Sequence, residues 1–160
     1  MLRVTVLCIG KLKEAYLRDA CAEYGKRLGA FCRLRVVELE EARVPESPSA
    51  AQREAALREE GRRILAKLPP GAVSIALCIE GREFSSPDFS RFLEKAAVDG
   101  AGDVALVIGG SWGLSEEVKA AARLRLSMSP MTFPHQLARV MLLEQLYRAF
   151  QISAGGKYHK

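Results

Sequence analysis

The sequence predicts an α/β fold, a parallel-rich sheet covered by helices, and three observations carry that expectation. Strand-like and helix-like segments alternate along the 160 residues. Two of the strand segments, VSIALCIEG (73–81) and DVALVIGG (103–110), run apolar almost without interruption, the pattern of strands covered on both faces. No repeat, low-complexity tract or linker breaks the alternation, so one domain over residues 1–160 is expected. A chain of that size can bury roughly two-thirds of its unfolded surface in one core.

The elements follow in order. Residues Leu2 to Gly10 read as a first strand, and the segment to Ala30 carries Leu17, Cys21, Tyr24 and Leu28 at helical spacing. FCRLRVVELE (31–40) alternates apolar residues with Arg and predicts a strand. EARVPESPSA (41–50) then gathers two prolines and two serines with no period, as a loop does. From Ala51 to Leu68 helix formers dominate, with Leu57, Gly61, Ile64, Leu65 and Leu68 on one face, until Pro69, Pro70 and Gly71 stop the helix. After VSIALCIEG, Ser86 as N-cap and Pro87 at the first helical position open a helix striped by Phe89, Phe92, Leu93, Ala96 and Ala97. DVALVIGG, a turn with a short helix capped by Ser115, and the strand LRLSMS (124–129) lead to a long helix from Pro134 to about Ser153, ended by Gly155 and Gly156.

Composition narrows the function classes. Hydrophobic residues make up 49% and charged residues 27%, and no run of about eighteen uncharged apolar residues is present to span a bilayer. The opening MLRVTVLCIGKLK lacks a small-residue cleavage site and reads as a strand rather than a leader, so a cytoplasmic location is expected, without a membrane partner. Cys8, Cys21, Cys32 and Cys78 sit singly in apolar segments, away from His135 and His159, so buried thiols and no metal site are expected. A net charge of +5 and a pI near 9.2 suit a polyanionic partner without requiring one.

Three segments follow apolar strands and should meet at the carboxyl edge of the sheet, where α/β folds hold ligands: Glu80-Gly81-Arg82, GGSWGLS (109–115) and SMSPMTF (127–133). GGSWGLS is not a dinucleotide loop. Its spacing is GGxxG, and Glu116 and Glu117 occupy the first helical turn where a phosphate would sit. It is either a structural turn or a backbone-lined pocket for an uncharged or zwitterionic ligand. SMSPMTFPHQ is likewise either an ordinary strand-to-helix turn or a ligand loop. On the long helix, Leu137, Val140, Met141, Leu143, Leu146, Tyr147 and Phe150 form a band wider than one sheet face needs, which fits a subunit interface or deep burial. Glu144 and Arg148 stand four apart as an ion pair. The tail Lys157-Tyr158-His159-Lys160 either frays or, with its aromatic, histidine and cations, meets RNA.

ALVIGGSWGLS, LSMSPMTFPHQLARVMLLEQLYRAFQI and the terminal YHK together resemble the RlmH (YbeA-like) branch of the SPOUT methyltransferases, and VLCIGKLKEAYL and VSIALCIEGREFSS extend the resemblance over nearly the whole chain. The resemblance implies an α/β SPOUT fold with a C-terminal trefoil knot and a homodimer. It implies S-adenosyl-L-methionine as cofactor, and methylation of N3 of a pseudouridine in helix 69 of 23S rRNA within the ribosome. It assigns the cofactor site to Leu77, Gly109, Met128, Ser129, Pro130, Met131, Thr132 and Phe133. At Gly109 a branched side chain would fill space where backbone meets ligand. Tyr158, His159 and Lys160 match the family's terminal Tyr-His-basic element of the active site. Ser111 stands where the family turn has proline, a departure that loosens the turn slightly. Methyl transfer from a sulfonium requires alignment of donor and acceptor and removal of the imide proton. His159 is the candidate proton acceptor, and Arg148 or Lys160 the cation that steadies the developing anion. The alternatives are a non-catalytic ribosome-binding factor and a SPOUT methyltransferase acting on tRNA. The YHK tail and the lack of an appended RNA-binding domain favour the rRNA enzyme.

Overall fold

A computed structural model describes all residues 1–160. Strands and helices alternate as β1 (Arg3–Ile9), α1 (Ala15–Leu28), β2 (Arg33–Leu39), α2 (Ala50–Lys67), β3 (Val73–Glu83), α3 (Ser86–Val98), β4 (Asp103–Ile108), α4 (Glu116–Ala121), β5 (Leu124–Ser127) and α5 (His135–Ser153). The five strands form one sheet in the order β2-β1-β4-β3-β5, parallel throughout. The α/β expectation holds, and the uninterrupted apolar strands lie where both faces need covering.

Alternation along the strands assigns each face its helices. Val4, Val6 and Cys8 of β1 lie beside Val104, Leu106 and Ile108 of β4. These six pack with Leu28 of α1, Phe89 and Leu93 of α3, and Leu142, Leu143 and Leu146 of α5 in one buried cluster. Leu7, Ile9 and Val107 point the other way, onto Ile64 of α2 and Val118 of α4. The edge strand β2 has no buried residue, which its Arg-alternating sequence permits.

Helix ends depart from the sequence reading by single residues, for visible reasons. Ser85, not Ser86, caps α3, accepting a 3.1 Å hydrogen bond from the Asp88 N–H, while the Ser86 hydroxyl donates to Gln145 Oε1 of α5 at 2.7 Å. α2 starts at Ala50 because Ser49 and Gln52 form a reciprocal capping box. Its buried side is Ala56, Glu60, Gly61 and Ile64, whereas Leu65 faces solvent. Pro134 precedes the first residue of α5 rather than filling it. At the far end Gly155 adopts φ 70°, and the N–H groups of Gly155 and Gly156 donate to Ile152 and Gln151, the expected glycine stop.

The larger departure is β3. Leu126 of β5 is opposite both Leu77 and Arg82, so residues 78–81 bulge out of the β3–β5 ladder while the strand itself runs on to Glu83. Gly81 makes this possible: a Cβ there would stand 2.8 Å from backbone atoms of Arg125 and Leu126. No helix is long and apolar enough to cross a membrane.

Candidate functional site

The sheet order sets β3 between β4 and β5, so the chain leaving all three strands converges on one edge. There a cleft of about 720 Å³ opens. Its walls are Leu77 to Glu80 from the bulged part of β3, Ile108 to Leu114 from the turn after β4, and Met128 to His135 from the turn after β5, Pro130 excepted. Of the residues expected to hold a cofactor, Leu77, Gly109, Met128, Ser129, Met131, Thr132 and Phe133 line it; Pro130 lies on the exposed outer side of its loop.

Each wall has a local cause. Gly113 takes φ 85°, its N–H donates to the Gly110 carbonyl at 3.1 Å, and Gly110 and Gly113 form an antiparallel bridge, folding GGSWG back on itself. A Cβ at Gly109 would strike the Gly113 carbonyl and stand 3.1 Å from Leu114, so a conflict inside the loop arises before any with the ligand that the sequence reading considered. Ser115 then caps α4 through the Val118 N–H at 3.3 Å. After β5, Ser129 organises the turn: its carbonyl accepts from the Ser127 hydroxyl at 3.1 Å, and its own hydroxyl accepts from the Met131 N–H at 3.0 Å.

The cleft carries little free charge. Lys119 pairs with Glu80 across its wall, holding the Glu80 carboxyl below its ordinary range, while Glu80 holds the Lys119 ammonium above its own. Burial lowers His135 and raises the Cys78 thiol. Such a site presents backbone groups, apolar walls and one internally neutralised pair. It does not present a phosphate cradle, and it suits a flat, partly apolar ligand of low net charge. Its volume falls within the roughly 300–1,000 Å³ typical of small-molecule sites. No three His, Cys, Asp or Glu side chains come together as a metal-binding group, and all four cysteines are free thiols.

The tail residues form a second cluster. Tyr158 donates to Glu144 Oε1 at 3.0 Å and meets the Tyr147 ring edge-on at 4.8 Å. The Arg148 guanidinium lies 4.7 Å over the Tyr158 ring, donates to Glu144 at 2.6 and 3.1 Å, and sits 3.2 Å from His159 Nδ1. Burial first, then the bond to Glu144, push the Tyr158 phenol up to about 12. Arg148, Tyr158 and His159 are thus assembled together, Lys160 stays exposed, and Glu144, read from sequence only as a helical ion-pair partner, is the anchor of the group. Within one chain no residue of this cluster lines the cleft, though Glu144 lines the adjoining groove, which shares Leu126 and Met128 with it. From Ala138, which lines the cleft, to Arg148 the helix rises roughly 15 Å.

Comparison with known proteins fits this arrangement. Residues 2–159 match the family described as "Predicted SPOUT methyltransferase". The chain is 48% identical over 159 residues to a protein of Pelotomaculum thermopropionicum named ribosomal RNA large subunit methyltransferase H, covering 99% of both. It is 45% identical to a Clostridium acetobutylicum protein of the same name, covering 99% of this chain and all of that one. A putative methylase family protein of Neisseria gonorrhoeae shares the fold at a TM-score of 0.53 and 17% identity, over 91% of this chain and 82% of that one. A putative methyltransferase of Legionella pneumophila, solved with bound SAM, does so at 0.51 and 14%, over 95% of this chain and 66% of that one. The chain belongs to the SPOUT methyltransferase family, in the branch of the ribosomal RNA large subunit methyltransferases H.

Proposed function

We propose that the protein is an S-adenosyl-L-methionine-dependent methyltransferase that modifies N3 of a pseudouridine in helix 69 of 23S rRNA, on the assembled ribosome in the cytoplasm. The observation that carries the reading is the cleft at the carboxyl edge of β3, β4 and β5, walled by the residues that the family resemblance assigns to the cofactor. The full-length relatives named as large-subunit rRNA methyltransferases support the substrate class. When bound, the cofactor supplies the methyl group from its sulfonium. The chain's own part is to hold donor and acceptor in line, exclude water and manage the proton on N3.

The neutral ligand environment fits this assignment. The backbone of Gly109, Gly110 and the 128–133 loop offers hydrogen-bonding groups to a zwitterion, and Leu77, Leu126 and Phe133 offer apolar surface. Lys119, tied to Glu80, does not repel a cationic sulfonium as a free ammonium would.

The tail is assigned to the proton. Arginine only donates, so the Arg148 contact makes His159 Nδ1 an acceptor, and a neutral ring then carries its proton on Nε2. The nitrogen able to take the imide proton is therefore Nδ1, which becomes free when it parts from Arg148. Arg148 remains balanced by Glu144, so the exposed Lys160 is the better-placed cation for the N3 anion. Tyr158, anchored to Glu144, offers a ring face and edge for positioning the base.

The separation of tail and cleft along α5 favours a homodimer of two single-domain chains, with the tail of one chain serving the cleft of the other. Val140 and Met141 of α5 line a second groove of about 450 Å³ with Phe84 and Phe89, whose apolar wall, edged by Ser85, Ser86, Glu144 and Gln145, is a surface that a second copy can cover. Calorimetry with S-adenosyl-L-methionine tests the assignment at its base. Binding at one site per chain is expected, and no detectable heat from the folded protein would turn the reading toward a non-catalytic ribosome-binding factor.

A further inference from the structure

Nine large hydrophobic side chains are exposed, and three of them, Ile79, Trp112 and Met131, gather at the mouth of this one cleft. They come from the three different segments that build it, the bulge of β3 and the turns after β4 and β5. Met131 is 72%, Ile79 51% and Trp112 44% exposed, so the rim is a wet apolar surface rather than part of the core. Trp112, the chain's single tryptophan, stands at the tip of the GGSWG turn. Across from it on α2, the guanidinium carbon of Arg53 lies 5.3 Å from the centre of the indole ring. Arg53 enters none of the salt bridges of the chain, whereas Arg63 further along the same helix is paired with Glu59. Its charge is neutralised by no carboxylate, and the aromatic face is its partner.

We propose that Trp112 and Arg53 form a stacking lip that receives a nucleotide of the RNA substrate at the mouth of the cofactor cleft. The proposal rests on the rRNA reading above and adds the residues that would hold the RNA. Charge decides between the two flat ligands within reach. The cofactor carries a sulfonium and an ammonium against one carboxylate, so the unpaired Arg53 disfavours it, whereas an RNA strand brings a phosphate with every base. An indole face with an adjoining guanidinium satisfies both parts of a nucleotide, the base by stacking and the phosphate by charge. Ile79 and Met131 on the facing rim supply the apolar surface that closes over an unstacked base. Trp112 is therefore a substrate-positioning residue at the lip, and the cleft floor is left to the cofactor.

The test compares wild type with Trp112→Ala, Trp112→Phe and Arg53→Gln in methyl transfer to ribosomes lacking the modification, at saturating cofactor and varied ribosome concentration. Cofactor affinity is measured separately by calorimetry. Trp112→Ala is expected to raise the ribosome KM about tenfold, the scale of losing one stacked base, and to weaken cofactor binding by less than that. Trp112→Phe should recover most of the loss, because a smaller ring still stacks. Arg53→Gln should raise KM less and reduce the salt dependence of ribosome binding by about one counterion. Unchanged KM in Trp112→Ala, with wild type active, overturns the lip and leaves the rRNA reading standing. A loss confined to cofactor affinity assigns Trp112 to the cofactor wall and also overturns it. A wild-type protein that binds cofactor but methylates no ribosome overturns both readings together.

Discussion

Gly109 follows the last residue of β4 where the chain must fold back within five residues, and no side chain fits between it and the Gly113 carbonyl. Gly109→Val is therefore expected to destabilise the protein by about 1–3 kcal/mol, as over-packing does, and to abolish cofactor binding with it. Thermal melting and calorimetry read the two losses. Native stability with lost binding would restore the direct clash with ligand that the sequence suggested. This residue shows what the sequence could and could not convey. That two glycines after a buried strand form a tight turn was legible, but which atoms they make room for depends on Gly113 and Leu114 folding back over them. Glu144 is a parallel case. Its spacing from Arg148 was plain, whereas its bond to Tyr158 depends on how the chain turns back after Gly155.

At the scale of elements, α2 clamps the site from behind. Gly61 packs against the Ser115 side chain that caps α4, and Glu60, 7% exposed, accepts from the Ala42 N–H at 3.0 Å. Burial raises the Glu60 carboxyl above its ordinary value, so folding favours the protonated form. The stability linked to this group is therefore fully present below its unfolded pKa and is lost as pH rises through the higher folded value. Glu60→Gln keeps an acceptor for Ala42 without the charge. It should melt above wild type at pH 7 to 8, with the gap closing as pH falls below about 4.5. A gap that widens in acid would show Glu60 to be stabilised as a carboxylate.

All five strands and five helices were legible because apolar periodicity reports which face is covered. The excursion of residues 78–81 was not, since VSIALCIEG reads as one continuous strand, and the need for Gly81 arises only from the backbone of β5 crossing beside it. Cap positions shifted by one residue where neighbouring hydroxyls, Ser85 and Ser86, compete for the same role. The α2 stripe holds at Gly61 and Ile64 but fails at Leu65, because the buried face turns toward Ala56 and Glu60, a carboxylate that hydrophobicity would not assign to it.

For the whole molecule, the expectation is a homodimer built on the groove beside α5, through its apolar wall of Phe84, Phe89, Val140 and Met141. Sedimentation at micromolar concentration should give twice the 17.6 kDa chain mass, and Met141→Glu, placing a charge in that groove, should shift it toward monomer. A monomeric wild type would leave the tail and cleft of α5 without a means of meeting. The measurement that bears most directly on the central claim is single-turnover methyl transfer to ribosomes lacking the modification, at saturating cofactor and several pH values, with ribosome binding followed separately. Wild type should place one methyl group on N3 of a helix 69 pseudouridine. Removal of Tyr158 to Lys160 should leave cofactor affinity and dimerisation intact while lowering the rate severely. His159→Ala should cost about 10²-fold or more, partly restored at high pH where the imide proton leaves unaided. Full activity in the truncated protein, or methylation by wild type at any other nucleotide alone, would contradict the account.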